Sequence, residues 1–298
     1  MRNKNLMANL ALLITGIIWG SAFVFQKFAA DELSTAFIIA GRFSVAGVLL
    51  LIATAKKWHV IDKVYLKGGL LAGITLATGS ALQTMGLAMG TTPGKSAFLT
   101  PAYCVMMPFI YWFFVKEKPK RNHVISAVLC LIGIGFISLD GDFRMTLGDG
   151  LTLLCSFMFG LNIIVLSIFS KDRNPLVLTM IQIVIAALIG WTALILTGGM
   201  PTNLTMESAA NVVYLALFPT ALCLSLQTFG FKYTNPTVGT IILSLESVFG
   251  VAFSAVLYGE TITRKIGVGF VIVFAAVMLS QLSFDKKAKE NASKMAES

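Results

Sequence analysis

Long apolar stretches alternate with short polar ones along nearly the whole chain. A helix needs roughly 20 mainly apolar residues to cross about 30 Å of hydrocarbon. Ten stretches come close to this length or reach it. They run approximately over residues 7–28, 34–55, 66–88, 93–115, 121–139, 147–169, 175–197, 207–230, 235–257 and 264–284. The polar segments between them are too short for a soluble catalytic domain, so the pattern predicts an all-α membrane protein with ten transmembrane helices.

Composition agrees with a membrane protein. The 298 residues are 56% hydrophobic and 12% charged, whereas a soluble domain carries about 25% charged residues. The net charge of +9 raises the question of nucleic-acid binding. However, the basic residues lie in short clusters between the apolar stretches, as membrane orientation requires. We therefore expect the lipid bilayer, and no nucleic acid, as a partner.

The basic residues also predict the orientation of the chain. With the N-terminus inside and ten alternating crossings, seventeen Lys and Arg residues fall on the inner side: Arg2, Lys4, Lys56, Lys57, Lys63, Lys67, Lys116, Lys118, Lys120, Arg121, Lys171, Arg173, Lys232, Lys286, Lys287, Lys289 and Lys294. Five fall on the outer side: Lys27, Lys95, Arg144, Arg264 and Lys265. This bias predicts a multi-pass protein of the plasma (inner) membrane with both termini cytoplasmic. Residues 285–298 would form a polar cytoplasmic tail.

The chain repeats itself. Residues 82–86 read LQTMG and residues 226–230 read LQTFG. Pro93 and Pro236 follow these motifs and are 143 residues apart. The same separation holds for two acids at the ends of the following stretches, Glu117 and Glu260.

The repeat predicts two five-helix domains, residues 1–140 and 141–284. Because five is odd, the second copy enters the membrane upside down relative to the first. Inverted repeats of this kind are typical of transporters, in which a central cavity opens alternately to each side. A duplication without mechanical role is the alternative.

Several motifs resemble the drug/metabolite transporter superfamily, EamA type. They are IIWGSAFVFQK, AGRF, LQTMGL, SAFLTPAYCVMMPFIYWFFVKEKP and LSLESVFGVAFSAVLYGETIT. The resemblance covers nearly all of residues 7–284. It implies ten helices around a central cavity and export or exchange of small metabolites, often amino acids. Ser247 stands where members of the superfamily usually have proline, so we expect a straighter ninth helix.

Two charged residues lie inside predicted spans. Arg42 is about eight residues into the second span, and its planar guanidinium suits a substrate carboxylate. Alternatively, Arg42 pins helices together. Glu246 is the only charged residue between Pro236 and Tyr258. It could bind a substrate amine, relay a proton, or remain protonated at a helix interface, since it lies about 100° around the helix from Ser247.

Uncharged polar and aromatic residues complete the candidate cavity. Trp19, Phe23 and Gln26 share one helix face, as an aromatic wall for an amine or as ordinary packing. Gln83 and Gln227 occupy matched places near the ends of the third and eighth spans, and Asn162 and Gln182 are the main polar residues early in the second half. We expect interhelical hydrogen bonds for three of these four. The remaining candidates are Thr100, Tyr103 and Ser244. Glycine pairs at GxxxG spacing predict close helix approach: Gly16/Gly20, Gly69/Gly73 and Gly86/Gly90.

Chemistry of other kinds finds little support in the sequence. The four cysteines are embedded in apolar stretches, and both histidines lie in basic loops. We therefore expect no cofactor, no metal and no enzymatic activity. The expected function is secondary transport of a small organic metabolite, such as an amino acid or related amphiphile, by alternating access. An organic-anion or nucleotide-sugar exchanger and a non-transporting receptor or scaffold are alternatives. Proton coupling and oligomeric state are left open.

Overall fold

The computed structural model describes residues 2–115, 118–119, 121–138, 145–170, 173–233, 239 and 242–279. Within these ranges the chain is helical and contains no strand. The predictions for Glu117 and Pro236, and the predicted tail 285–298, lie outside the described residues.

The helices follow the predicted apolar stretches closely. They are α1 Arg2–Glu32, α2 Thr35–Thr54, α3 Lys63–Ala88, α4 Pro93–Leu99, α5 Tyr103–Val115, α6 Arg121–Ser138, α7 Leu147–Phe169, α8 Pro175–Thr197, α9 Met206–Leu215, α10 Cys223–Tyr233, α11 Glu246–Phe253 and α12 264–279. Short 3-10 helices span Ala55–Val60 and Thr100–Ala102, and π-helical segments span Ala216–Leu222 and Ser254–Tyr258.

Polar residues at the helix starts explain several of these boundaries. A side-chain oxygen at the N-cap accepts a backbone N–H of the first turn, which has no partner within the helix. Six helices begin in this way, with the caps Ser34, Asp62, Thr92, Thr146, Asn174 and Thr205. Pro93 and Pro175 occupy first helical positions, where a missing N–H costs nothing.

Within the part of the chain that the structure describes, six helices are long and apolar enough to cross a membrane. They are Lys4–Glu32, Thr35–Val60, Lys63–Ala88, Leu147–Leu166, Pro175–Thr197 and Met206–Gly230. Arg121–Ile137 and Ile242–Tyr258 are shorter apolar helices. Large apolar side chains on the outer surface, such as Ile195, Leu196 and Val256, are 76%, 79% and 80% exposed. Lipid, not water, is the compatible solvent for such a surface.

Glycines allow the helices to approach at backbone distance. A β-carbon at Gly20 would lie 2.8 Å from the backbone nitrogen of Gly250 on α11, and one at Gly73 would lie 2.9 Å from the carbonyl oxygen of Gln182 on α8. Gly90 differs from the prediction. It has a φ of +101° and no neighbour within 4 Å of such a β-carbon, so it makes a turn instead of a helix contact.

The two halves of the predicted sequence repeat, residues 1–140 and 141–284, pack against each other. Helix α3, from the first half, packs against α7 and α8 of the second. Conversely, the α9–α10 region packs against α1 and α2. Helix α1 also contacts α11, and α7 also contacts α5. The third and fourth predicted spans of each half thus pack against the first helices of the other half.

Loops gather at two ends of this bundle. One end, here called the basic end, contains residues 55–63 and 173–175, with Lys56, Lys57, Lys63 and Arg173. The opposite end, here called the acidic end, contains residues 31–34, 89–95, 146–149, 198–207 and 259–263. It carries Asp31, Glu32, Asp149, Glu207 and Glu260. Hydrogen bonds across the halves close both ends.

Candidate functional site

Three predicted spans are interrupted within the bundle, and each interruption carries a polar residue. Thr100 begins the 3-10 turn before α5, and Thr220 lies in the π-helical segment before α10. Glu246 is the first residue of α11, after a turn at Leu245. The ninth span is therefore not one straight α-helix, although it lacks the usual proline.

Prolines account for two of these interruptions. Pro101 and Pro219 have no N–H to donate to the preceding turn, which breaks the regular α-helical ladder. At the second site, Thr220 Oγ1 donates to the carbonyl of Leu215 at 2.8 Å. Local departures from α-helix at functional sites are common in membrane transporters, where unwound backbone lines the substrate path.

Arg42 is the hub of a partly buried hydrogen-bond network. Its Nε donates to Thr220 Oγ1 at 2.7 Å, and its Nη1 donates to Gln26 Oε1 at 3.4 Å. Gln26 in turn donates from Nε2 to Thr84 Oγ1 at 2.8 Å. The network joins α1, α2 and α3 to the π-helical segment of the other half. Arg42 has no carboxylate partner among the described residues.

The predicted face of α1 contacts three different neighbours. Gln26 belongs to the Arg42 network, whereas Trp19 Nε1 donates to the carbonyl of Pro219 at 2.8 Å. Phe23 lies against α11, 3.4 Å from where a β-carbon of Gly250 would be. This face therefore lies at the junction of the halves, as a cavity wall requires.

Three of the four glutamine and asparagine candidates, Gln83, Asn162 and Gln182, make interhelical hydrogen bonds. Gln83 donates to Thr100 Oγ1 at 3.0 Å. Asn162 Nδ2 donates to Gln182 Oε1 at 3.1 Å and to the carbonyl of Ala72 at 2.8 Å. Gln227 is partly exposed and makes no hydrogen bond within the described part of the chain.

The two halves make similar polar contacts between their opening helices. Arg42 of α2 donates to Gln26 of α1, and Asn162 of α7 donates to Gln182 of α8. Arg42 and Gln182 occupy matching places in the sequence repeat. The contact in the first half includes the charged Arg42, whereas the contact in the second half joins two neutral amides.

Glu246 is buried and has no bonded partner among the described residues. It is 6% exposed, and it makes neither a hydrogen bond through its carboxyl group nor an ion pair within the described residues. The Cys223 thiol lies within electrostatic range of both Glu246 and Arg42, and the Tyr103 hydroxyl lies within range of Glu246. Ser244, two residues earlier in the same segment, is also buried. An isolated acid at membrane depth costs about 2.5–3.5 kcal/mol, so this one calls for a function.

Two acids hold the start of α4 at the acidic end. Glu260 accepts hydrogen bonds from Thr92 Oγ1 at 2.5 Å, from Gly94 N at 2.9 Å and from Ser254 Oγ. Glu260 thus caps α4, a helix of the other half.

Asp149 provides the second contact at the acidic end. Its Oδ1 accepts from Thr91 Oγ1 at 2.9 Å, and its Oδ2 lies 3.5 Å from Lys95 Nζ. Asp149 also lies in the first turn of α7, where a negative charge favours the helix dipole. These two contacts of Asp149, like those of Glu260, join the segment after α3 to the second half.

A separate set of contacts closes the basic end. Asp62 accepts from the backbone N–H groups of Val64 and Tyr65 and pairs with Arg173 at 3.3 Å. Tyr65 Oη accepts from Asn174 N at 2.8 Å. The backbone hydrogen bond from Tyr65, together with Arg173, lowers the pKa of the Asp62 carboxyl below its usual value.

This lowered pKa predicts an acid-sensitive contribution to stability. Because the folded pKa is below the unfolded one, the contribution is complete above the unfolded pKa of about 3.9 and is lost as pH falls through the folded value. We expect Asp62→Asn, which can still cap α3, to be less stable than the wild type at neutral pH. The difference should shrink below about pH 4. Thermal unfolding across pH 3 to 7 measures it, and a difference independent of pH would contradict the assignment.

Some site residues escaped the sequence-based prediction. Thr84 and Thr220 are not among the candidates predicted from the sequence, and neither are the acidic-end contacts of Thr92 and Asp149. A proline followed by threonine inside an apolar stretch, as in Pro219–Thr220, was the available signal for an interruption. No local signal pairs Thr84 with Gln26, because that contact depends on how α1 and α3 pack.

Comparison with known proteins gives the family. The EamA-like transporter family matches residues 6–139 and again residues 146–282. An "Uncharacterized transporter" of Archaeoglobus fulgidus is 31% identical over 280 residues, covering 94% of this chain and 87% of the relative. A "Probable amino-acid metabolite efflux pump" of Salmonella typhimurium is 24% identical over 297 residues, covering 92% of this chain and 94% of the relative.

The fold also has a counterpart among solved structures. One crystal structure superposes with a TM-score of 0.65 at 13% sequence identity, covering 92% of this chain and 96% of the other. At this identity the likeness concerns the fold alone. The family match covers most of the chain in two consecutive stretches and agrees with the apolar helices found here. The chain therefore belongs to the EamA-like transporter family.

Proposed function

We propose that this transporter is an exporter or exchanger of small zwitterionic metabolites, amino acids or related amphiphiles, working by alternating access. One observation carries the proposal. Arg42 and Glu246 are a basic and an acidic side chain inside the bundle, both interact electrostatically with Cys223, and neither has an ionic partner among the described residues. A zwitterion would supply both missing partners.

The chemistry of each residue suits one end of such a substrate. The Arg42 guanidinium can bind a carboxylate through two parallel N–H donors, and two of its donors already have fixed directions toward Thr220 and Gln26. Glu246 would accept the substrate ammonium. Trp19 offers an aromatic surface for the same cation. The hydrogen bond to the carbonyl of Pro219 fixes the orientation of its indole ring.

The relatives add support at a lower level. The Salmonella typhimurium protein is named a probable amino-acid metabolite efflux pump, although it shares only 24% identity with this chain. An organic-anion or nucleotide-sugar exchanger would require several buried cations, and the described part of the bundle offers Arg42 alone at membrane depth. We therefore favour a zwitterion over an anion.

We further propose ten crossings in two inverted halves, residues 1–140 and 141–284. The two separate family matches support this division, as does the exchange of packing partners between the halves. The interrupted segments Pro93–Val115 and Ile242–Tyr258, together with Arg121–Ser138 and 264–279, would supply the four crossings beyond the six long apolar helices.

Alternating access would break one set of end contacts at a time. Opening the acidic end requires Glu260 and Asp149 to release the start of α4. Opening the basic end requires Asp62 and Tyr65 to release Arg173 and Asn174. We place the protein in the plasma membrane. The lysine-rich loops favour an orientation with the basic end and both termini in the cytoplasm. The acidic end would then face outward.

A transport assay with matched analogues tests the substrate class. Purified protein in liposomes should take up or exchange at least one amino acid, and it should transport the corresponding amine and the corresponding deaminated acid much more slowly. Equal flux of the deaminated acid would contradict a zwitterion site. Binding without flux of any solute would contradict transport and indicate a receptor.

Replacing Glu246 by glutamine should remove the selection for the ammonium group. We expect amino-acid flux to fall at least tenfold. Flux of the deaminated acid should change little, because that compound has no ammonium group to bind Glu246. Glu207→Gln, an exposed acid at the acidic end, is the control and should leave flux unchanged. If flux is proton-dependent in the wild type and equally so in Glu246→Gln, Glu246 is not the proton carrier.

A further inference from the structure

A cavity of about 590 Å³ opens at the basic end of the bundle. It lies between the 3-10 helix Ala55–Val60 and the starts of α3 and α8. Its wall consists of Lys57, His59, Val60, Asp62, Tyr65, Arg173 and Asn174. It is distinct from the Arg42 and Glu246 region, which lies within the bundle.

The charges of this cavity favour an anion. Lys57 and Arg173 are cations, and His59 adds a ring N–H donor. Asp62 is the one acid in the wall, and its oxygens already accept two backbone N–H groups and the Arg173 contact. A ligand therefore meets basic donors and an acid that is already occupied.

Arg173 has donor capacity left over. Its Nη2 contacts Asp62, and its guanidinium lies 5.5 Å from the ring centroid of Tyr65. Its Nε is buried and has no hydrogen-bond partner among the described residues. Buried donors are normally satisfied, so an oxygen-rich ligand would complete this group.

The setting favours a ligand at the membrane surface. All six residues of Ala55–Val60 are exposed, and they include Trp58 beside Lys56 and Lys57. Tryptophan and lysine are typical of the zone in which lipid headgroups lie, and basic pockets between membrane helices bind phosphorylated headgroups. Cavities of about 300–1,000 Å³ are usual for small ligands.

We propose that this cavity binds a phosphate ester, carried either by an anionic phospholipid or by a soluble phosphate compound. Lys57, His59 and the free Nε of Arg173 would donate to the phosphate oxygens, and Trp58 would lie in the adjoining headgroup layer. The site is independent of the substrate that crosses the membrane. It is present whether or not the transport proposal holds.

Thermal unfolding of the full chain in neutral detergent tests the site. We expect phosphatidylglycerol to raise the melting temperature by several degrees and phosphatidylcholine to raise it little. The double variant Lys57→Ala/His59→Ala should lose at least half of the phosphatidylglycerol effect. Both side chains are exposed, so this variant should fold. Its melting temperature without lipid provides the check.

A matched control separates a site from diffuse attraction. Lys67→Ala removes an exposed charge of the same end that does not line the cavity, and it should keep the full effect. Equal loss in this control, or equal stabilisation by both lipids, would overturn the proposal. Glycerol 3-phosphate distinguishes the sources. A saturable rise with it, lost in the double variant, supports the site and assigns it to soluble phosphate esters.

Discussion

Gly20→Ala is expected to lower the melting temperature of the protein sharply and to reduce the yield of monodisperse material. A β-carbon at position 20 would lie 2.6 Å from the Phe249 β-carbon and 2.8 Å from the Gly250 nitrogen. Because backbone atoms are involved, α1 and α11 must separate. Overpacking costs about 1–3 kcal/mol or more. Thermal unfolding monitored by size-exclusion chromatography measures the loss.

Gly150→Ala is the matched control. The same β-carbon at this position on α7 would have no neighbour within 4 Å, and alanine favours a helix over glycine by about 1 kcal/mol. We expect this variant to be as stable as the wild type or slightly more so. If both variants had the melting temperature of the wild type, α1 and α11 would not approach as closely as described.

Arg42→Met should abolish amino-acid transport, with flux at least tenfold below that of the wild type, and should also destabilise the fold. Methionine keeps much of the apolar stem but removes the donors to Thr220 and Gln26. Hydrogen bonds to a charged group contribute about 1.5–3 kcal/mol. Flux in liposomes and thermal unfolding measure the two effects separately.

Thr220→Val separates the substrate-anchor role of Arg42 from its role as a pin between helices. It removes the oxygen that Arg42 Nε contacts but leaves the guanidinium in place. If Arg42 only pins helices, both variants should lose stability and flux in similar proportion. If it also binds the carboxylate, Arg42→Met should lose far more flux at similar stability. Normal flux and normal substrate preference in Arg42→Met would rule out the anchor.

Much of the local structure could be predicted from the sequence. Helices α7 and α8 coincide with the predicted stretches 147–169 and 175–197, because long apolar runs in lipid must satisfy their backbone internally. The location of Arg42 and Glu246 inside the bundle also followed from their positions within such runs. The interruptions at Thr100 and Thr220 did not, since apolar periodicity carries no information about a 3-10 turn or a π-helical segment.

The contacts of the candidate site depended on tertiary structure. Glu260 could be recognised as an acid at the end of a stretch, but its bonds to Thr92 and Gly94 span more than 160 residues of chain. Gln26 and Thr84 are 58 residues apart and meet only because α1 and α3 pack together. Such pairings require the relative placement of helices, and a single sequence does not contain it.

The sequence by itself determined that this chain is helical and belongs in a membrane, because these properties depend on local hydrophobicity, and its spacing predicts a repeat of five stretches. It also determined which charges must be buried. Tertiary structure decided that Arg42 is held by Gln26 and Thr220 while Glu246 has no bonded partner among the described residues. The physical reason is that a side chain's partner is set by where distant helices meet, whereas its solvent is set by its own stretch of chain.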